Sequence, residues 1–208
     1  MTYDFPAYAR VFHPVIRVNK VNGEEDKEEE LTWSYVCKIT GRTAHASMQW
    51  ESIAGSLAHG NSPLWSTDPW QGSLTRNQVI RLIATLGAHT STPNRCYFAI
   101  WTGADLRTSD RAAPVVRIGN RDMVLLSGPI EAATTLSEPG HFQSPSLWWP
   151  EDHAWCVATD PDLDSTYVGG GRECVEALTA DDHLEALPIA ARDSVTRNSD
   201  TLNAAEAP

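Results

Sequence analysis

The groups best placed for chemistry in this chain are three alternating aspartates, a glycine triplet, four cysteines and seven histidines. Asp160, Asp162 and Asp164 repeat the spacing of the first half of a calcium loop, which also needs glycine at its sixth position and a bidentate glutamate at its twelfth. Ser165 and Gly171 stand there instead, so the segment reads as a polar turn. His153 does not reach these aspartates along an extended chain, because about seven residues at roughly 3.3 Å each span ~23 Å. The histidines form no H-E-x-x-H and no i, i+4 pair. No metal and no cofactor is expected.

Val168-Gly169-Gly170-Gly171-Arg172 sits where a strand meets a helix start, a place whose free N–H groups favour anions. No Gly-Lys-Ser/Thr follows, and a dinucleotide fingerprint needs glycine where Cys174 stands. These glycines read as a sharp strand-to-helix turn. There is no G-x-S-x-G elbow. Cys37, Cys96, Cys156 and Cys174 are widely spaced within apolar stretches, which suits reduced, buried and unreactive thiols.

The aromatic residues carry more. Leu147-Trp148-Trp149-Pro150-Glu151-Asp152 sets two tryptophans side by side. Adjacent residues point in different directions on any regular element, so at most one enters the core and the other faces a groove or partner. Trp65 and Trp70 are the other candidates. The binding residues proposed from sequence are Trp148, Trp149, His153, Asp160 and Tyr167. Were the protein an enzyme, Glu151, Asp152 and Asp160 would supply its acids and His153 its base. Its pocket would lie between the loop bearing Trp65 and Trp70 and the Trp148-to-Asp164 region.

The C-terminal third also resembles a known segment. Trp148-Trp149-Pro150-Glu151-Asp152, Trp155-Cys156-Val157-Ala158-Thr159-Asp160, Ser165-Thr166-Tyr167-Val168-Gly169-Gly170 and Leu184-Glu185-Ala186 look like a stretch that recurs in a family of soluble actinobacterial proteins. No activity goes with that family, so the resemblance carries over no catalytic residue. It covers residues 145 to 190 best.

The elements that must position these groups follow from periodicity. Tyr8 to Val18 alternates as a first strand, with Pro14 marking a bulge or edge. Thr32 to Thr40 fits a strand through the period-two set Trp33, Tyr35, Cys37 and Ile39 and a helix through Trp33, Val36 and Cys37; Thr32 as N-cap and Gly41 just past the end tip it toward a short helix. Residues 55–73, rich in Gly, Ser, Asn, Pro and Trp, predict a long irregular loop. Thr75 and Gln78 match a capping box, and Val79, Leu82, Ile83 and Leu86 form one helical face ended by Gly87 and Pro93. Arg95 to Trp101 predicts a central strand, and Met123 to Leu126 another. Trp155 to Thr159 and Ser165 to Val168 predict a hairpin, followed by a helix carrying Cys174, Val175 and Leu178. Leu184 to Ile189 ends the set. Without a βαβ rhythm, this is an α+β fold on a mostly antiparallel sheet with a few packed helices, a single domain over residues 1–190. Residues 191–208 lack periodicity and read as a disordered tail.

Composition bounds the partners. The 208 residues carry 16 Lys+Arg and 27 Asp+Glu, a formal charge of −11. Repulsion disfavours nucleic acid and anionic membranes. The run Glu24 to Glu30 holds six acids and one lysine within an expected acidic loop, 23–31. The N-terminus lacks a signal-peptide pattern and no apolar run spans a bilayer, so the cytoplasm is the expected compartment. The favoured expectation is a non-enzymatic protein that caps a basic protein partner, as an immunity protein caps a toxin. The alternative is a small-molecule binder or enzyme with a tryptophan-lined pocket near residues 148–167.

Overall fold

The computed structural model describes residues 4–19, 27–104, 112–137, 142–196 and 198–203. In chain order it forms β1 (Ala7–Phe12), β2 (Val15–Asn19), β3 (Lys27–Leu31), α1 (Trp33–Thr40), α2 (Trp50–Ala54) and α3 (Arg76–Ala88). β4 (Cys96–Trp101), β5 (Val115–Ile118), β6 (Arg121–Gly128), β7 (Leu147–Pro150), β8 (Trp155–Ala158) and β9 (Ser165–Gly170) follow. α4 (Arg172–Thr179) and β10 (Ala186–Ile189) complete the set. Eight strands make one antiparallel sheet in the order β10-β1-β9-β8-β7-β4-β6-β5, and β2 pairs with β3 in a second sheet. The fold is α+β.

Local chemistry sets the helix ends. Thr32 caps α1 by accepting from the Tyr35 N–H, and Gly41 closes it at φ 70°, a left-handed geometry that glycine adopts without Cβ strain. Thr75 and Gln78 complete a reciprocal capping box on α3. That helix then runs through Gly87 to Ala88, one residue beyond the glycine expected to end it. Glu185, far along the chain, accepts from the Trp33 and Ser34 N–H groups at the open end of α1.

Packing divides the molecule by sheet face. Neighbouring strand residues point to opposite faces. Val11 joins a cluster with Leu82, Leu86, Phe98, Trp148 and Leu178, whereas Phe12 joins one with Trp33, Val36, Trp50, Ile53 and Trp65. α3 and α4 therefore cover one face. α1, α2 and Trp65 from the long loop cover the other face at its β1 end. Directly opposed residues trace that second face across the sheet from Arg10 to Tyr167, Ala158 and Leu147. Trp149, two residues past Leu147, lies on the same face.

Three expectations are corrected. The strand read from Tyr8 to Val18 is two strands in two sheets, broken at His13-Pro14, because proline offers no N–H to continue a ladder. The acidic loop read over 23–31 is a strand from Lys27 onward, where Glu29 lies opposite Arg17 and bonds it at 2.7 Å; residues 23–26 lie outside the described residues. The tail read as disordered from 191 packs at 199–203. Asp200 and Asn203 are buried there, and Asp200 accepts from the Gln49 N–H at 3.1 Å. Residues 204–208 are outside the described set.

Candidate functional site

His13 is enclosed beneath the long loop and connects it to the sheet. Its Nδ1–H donates to the Trp70 carbonyl at 2.5 Å, and its Nε2 accepts from the Thr166 hydroxyl at 2.9 Å. Thr166 in turn lies 2.7 Å from the Thr159 hydroxyl. Burial lowers the His13 pKa to about 4, with the nearby Arg10 charge also pushing it down. The imidazole is neutral and structural at physiological pH. Sequence gave it no distinguishing mark.

Above His13 the loop turns outward and exposes Trp70. It is 47% exposed, and no other tryptophan of this chain is as open. It lines a cleft of about 410 Å³ between the long loop and the β8–β9 turn, together with Glu51, His59, Asp68, Asp162 and Asp164. Asp68 folds the loop, accepting from the His59 N–H at 2.6 Å and from the Trp65 indole at 2.8 Å. Glu51 faces the His59 imidazole at 3.8 Å. Asp162 meets Arg121 at 2.6 Å and Asp164 lies 3.9 Å from Arg10. His59 itself holds a positive φ of 61°, uncommon for a residue with a side chain.

A second hollow, about 650 Å³, lies on the sheet face beside the α1–α2 lobe. Leu147, Trp149 and Cys156 supply the sheet side, Phe5 one wall, and Arg117 and Ile118 from the β5–β6 hairpin another. Trp149 stacks on Tyr97, its cross-strand partner, at 5.7 Å with planes 23° apart. His153 lines the groove from the turn after β7, at a positive φ of 55°. Phe5 reaches its place over Gly169, where a Cβ would stand 2.4 Å from the phenyl ring. The Cys156 thiol is pushed up to about 12 by burial, so it adds apolar surface and no nucleophile.

The residues singled out from sequence are therefore dispersed. Trp149 and His153 share the groove. Trp148, expected at a binding surface as one of the adjacent pair, is fully enclosed, edge-on to Trp155 at 5.3 Å. Asp160 caps its own turn through the Asp162 N–H and faces Arg121 at 3.2 Å. Tyr167 is half-buried 6.0 Å from the Arg10 guanidinium, outside the groove.

Each of the acids expected to work with His153 has other partners. Glu151 pairs with Arg95 at 2.5 Å. Burial alone would raise the Asp152 pKa, yet the hydroxyls of Ser91 and Thr90 and the Ser91 and Ala154 N–H groups hold it down at about 2. Arg117, Ile118 and Phe5 were not anticipated. The Tyr97–Trp149 pairing was partly legible, since alternation along β4 points Tyr97 away from the core.

No protein-family model, curated protein or solved structure matches this chain, so both sites stand on their own geometry.

Proposed function

We propose that this chain is a non-enzymatic binding protein that caps a basic protein partner at the Trp70 cleft, in the manner of an immunity protein. The observation that carries the reading is an exposed tryptophan at the mouth of a cleft lined by four carboxylate residues. An arginine or lysine side chain gains from both, through cation–π attraction to the indole and charge complementarity with the acids. Tryptophan is also enriched among residues that dominate interface energies. The net charge of −11 adds long-range attraction for such a partner.

The remaining chemistry favours binding over catalysis. Burial raises the thiols of Cys37, Cys96 and Cys174 to about 11 and keeps them protonated. His13 is sealed and neutral. Within the cleft, Asp68 is committed to folding the loop, which leaves a pre-formed surface.

Titration with a short peptide rich in arginine and lysine, followed by tryptophan fluorescence, tests the reading. Affinity should fall as salt rises, and Trp70→Ala should weaken binding about tenfold. Glu51→Gln should reduce the salt dependence. Equal affinity in Trp70→Ala, or binding insensitive to salt, removes the cleft as the site.

A further inference from the structure

We infer that the Trp149 groove is a second, independent site that takes a small amphipathic anion, a flat or extended apolar body carrying one acidic head. It does not depend on the Trp70 cleft, which lies at the long loop and shares none of its lining residues.

Size and lining point to a small molecule. About 650 Å³ falls within the ~300–1,000 Å³ typical of ligand pockets. Trp149, held against Tyr97, offers a flat surface already fixed in orientation. A ligand ring stacking there costs no reordering of the indole. Leu147, Ile118 and Phe5 extend the apolar lining.

Charge selects the head group. Acids outnumber bases across the chain, yet among the described residues no acid lines this groove. Among the described residues its polar side chains are Arg117 and the His153 imidazole. Arg117 bonds Asp122 at 2.9 Å and the Asn120 carbonyl at 3.1 Å, and these do not exhaust the five N–H donors of a guanidinium. Its planar fork suits a carboxylate or sulfonate.

The groove is also held open by design features of the backbone. Gly169 leaves room for Phe5 on one side. On the other, Gly119 at φ 60° turns the β5–β6 hairpin, and Arg121 ties it to Asp160 and Asp162 of the β8–β9 turn.

Two fluorescent probes test the inference on the full chain at neutral pH: anilinonaphthalene sulfonate, an aromatic anion, and phenyl-naphthylamine, its uncharged counterpart. Both should bind at a single saturable site. Trp149→Ala should weaken both by about tenfold, and Arg117→Gln should weaken only the sulfonate to a similar degree. Leu147→Trp, which fills the groove from a half-buried position, provides a second route to the same loss. Trp70→Ala should leave both probes unaffected, which separates failure here from failure of the cleft. Probe binding unchanged by Trp149→Ala and by Leu147→Trp overturns the site. An Arg117→Gln effect that is absent, or equal for both probes, overturns the anionic ligand.

Discussion

Nδ1 of His13 lies 2.5 Å from the carbonyl oxygen of Trp70, so a sealed histidine supports the most exposed tryptophan in the chain. The imidazole must stay neutral to accept from Thr166 at its other nitrogen. Protonation would turn Nε2 into a donor, and the Thr166 hydroxyl, 2.7 Å from the Thr159 hydroxyl, would have to turn round to accept from it.

That relationship predicts an acid-sensitive fold. The His13 pKa falls from 6.5 to about 4 on folding, so between those values the unfolded chain binds more protons. Stability is fully present above about 6.5 and is lost as pH drops toward 4, by about 3 kcal/mol in all. Urea denaturation at steps across this window measures the loss. Glu185 is half-buried, its pKa is raised by desolvation, and it contributes with opposite sign, so the comparison of interest is with His13→Gln. The wild-type curve should be steeper there; parallel curves would show that His13 takes up a proton without cost.

The adjacent tryptophans should separate cleanly. Trp148→Ala empties a fully enclosed site and should cost about 3–5 kcal/mol. Trp149→Ala, on the half-buried face, should cost far less while removing groove binding. Chemical denaturation of both variants decides the matter, and similar losses would contradict the assignment of opposite faces.

Asp200 anchors the C-terminal segment. Its carboxylate accepts from the Gln49 and Asn203 N–H groups and from His45. Asp200→Ala leaves those buried donors unanswered and should destabilise the protein by about 2–4 kcal/mol. Ending the chain after Arg192 should lower the melting temperature as well. A truncated chain that melts with the full one would show that 199–203 contributes nothing.

Gly169→Ala should act through Phe5. The added methyl stands 2.4 Å from the phenyl ring and 3.0 Å from Tyr8, so the ring must move and the groove loses a wall. Overpacking of this kind costs about 1–3 kcal/mol. In Phe5→Ala the same glycine substitution should cost less, and a double-mutant cycle on stability reads the coupling. Additive effects would mean that the two do not touch.

Much of the scaffold was readable from the residues in order. The Thr32 cap, the Gly41 stop, the Thr75–Gln78 box and the β8–β9 hairpin all depend on groups a few positions apart. The division of Trp148 from Trp149 follows from the two-residue period of a strand and needs no partner to be known. Alternation failed at His13-Pro14 because it reports which way side chains point and not which sheet receives them. Charge pattern misled on the acidic run because Glu29 is stabilised by Arg17 across a ladder, against its low strand propensity.

The amino-acid sequence by itself determined the α+β class, the helix ends and that the two neighbouring tryptophans would part, with at most one entering the core. Tertiary structure alone decided that Trp70 would stand over His13, that Asp200 would dock beside Gln49, and that Phe5 and Arg117 would wall a groove on Trp149. Those groups lie between about thirty and 150 positions apart in the chain. Contacts over such separations leave no local pattern, because they arise only when chain reversal brings distant surfaces together and burial holds them there.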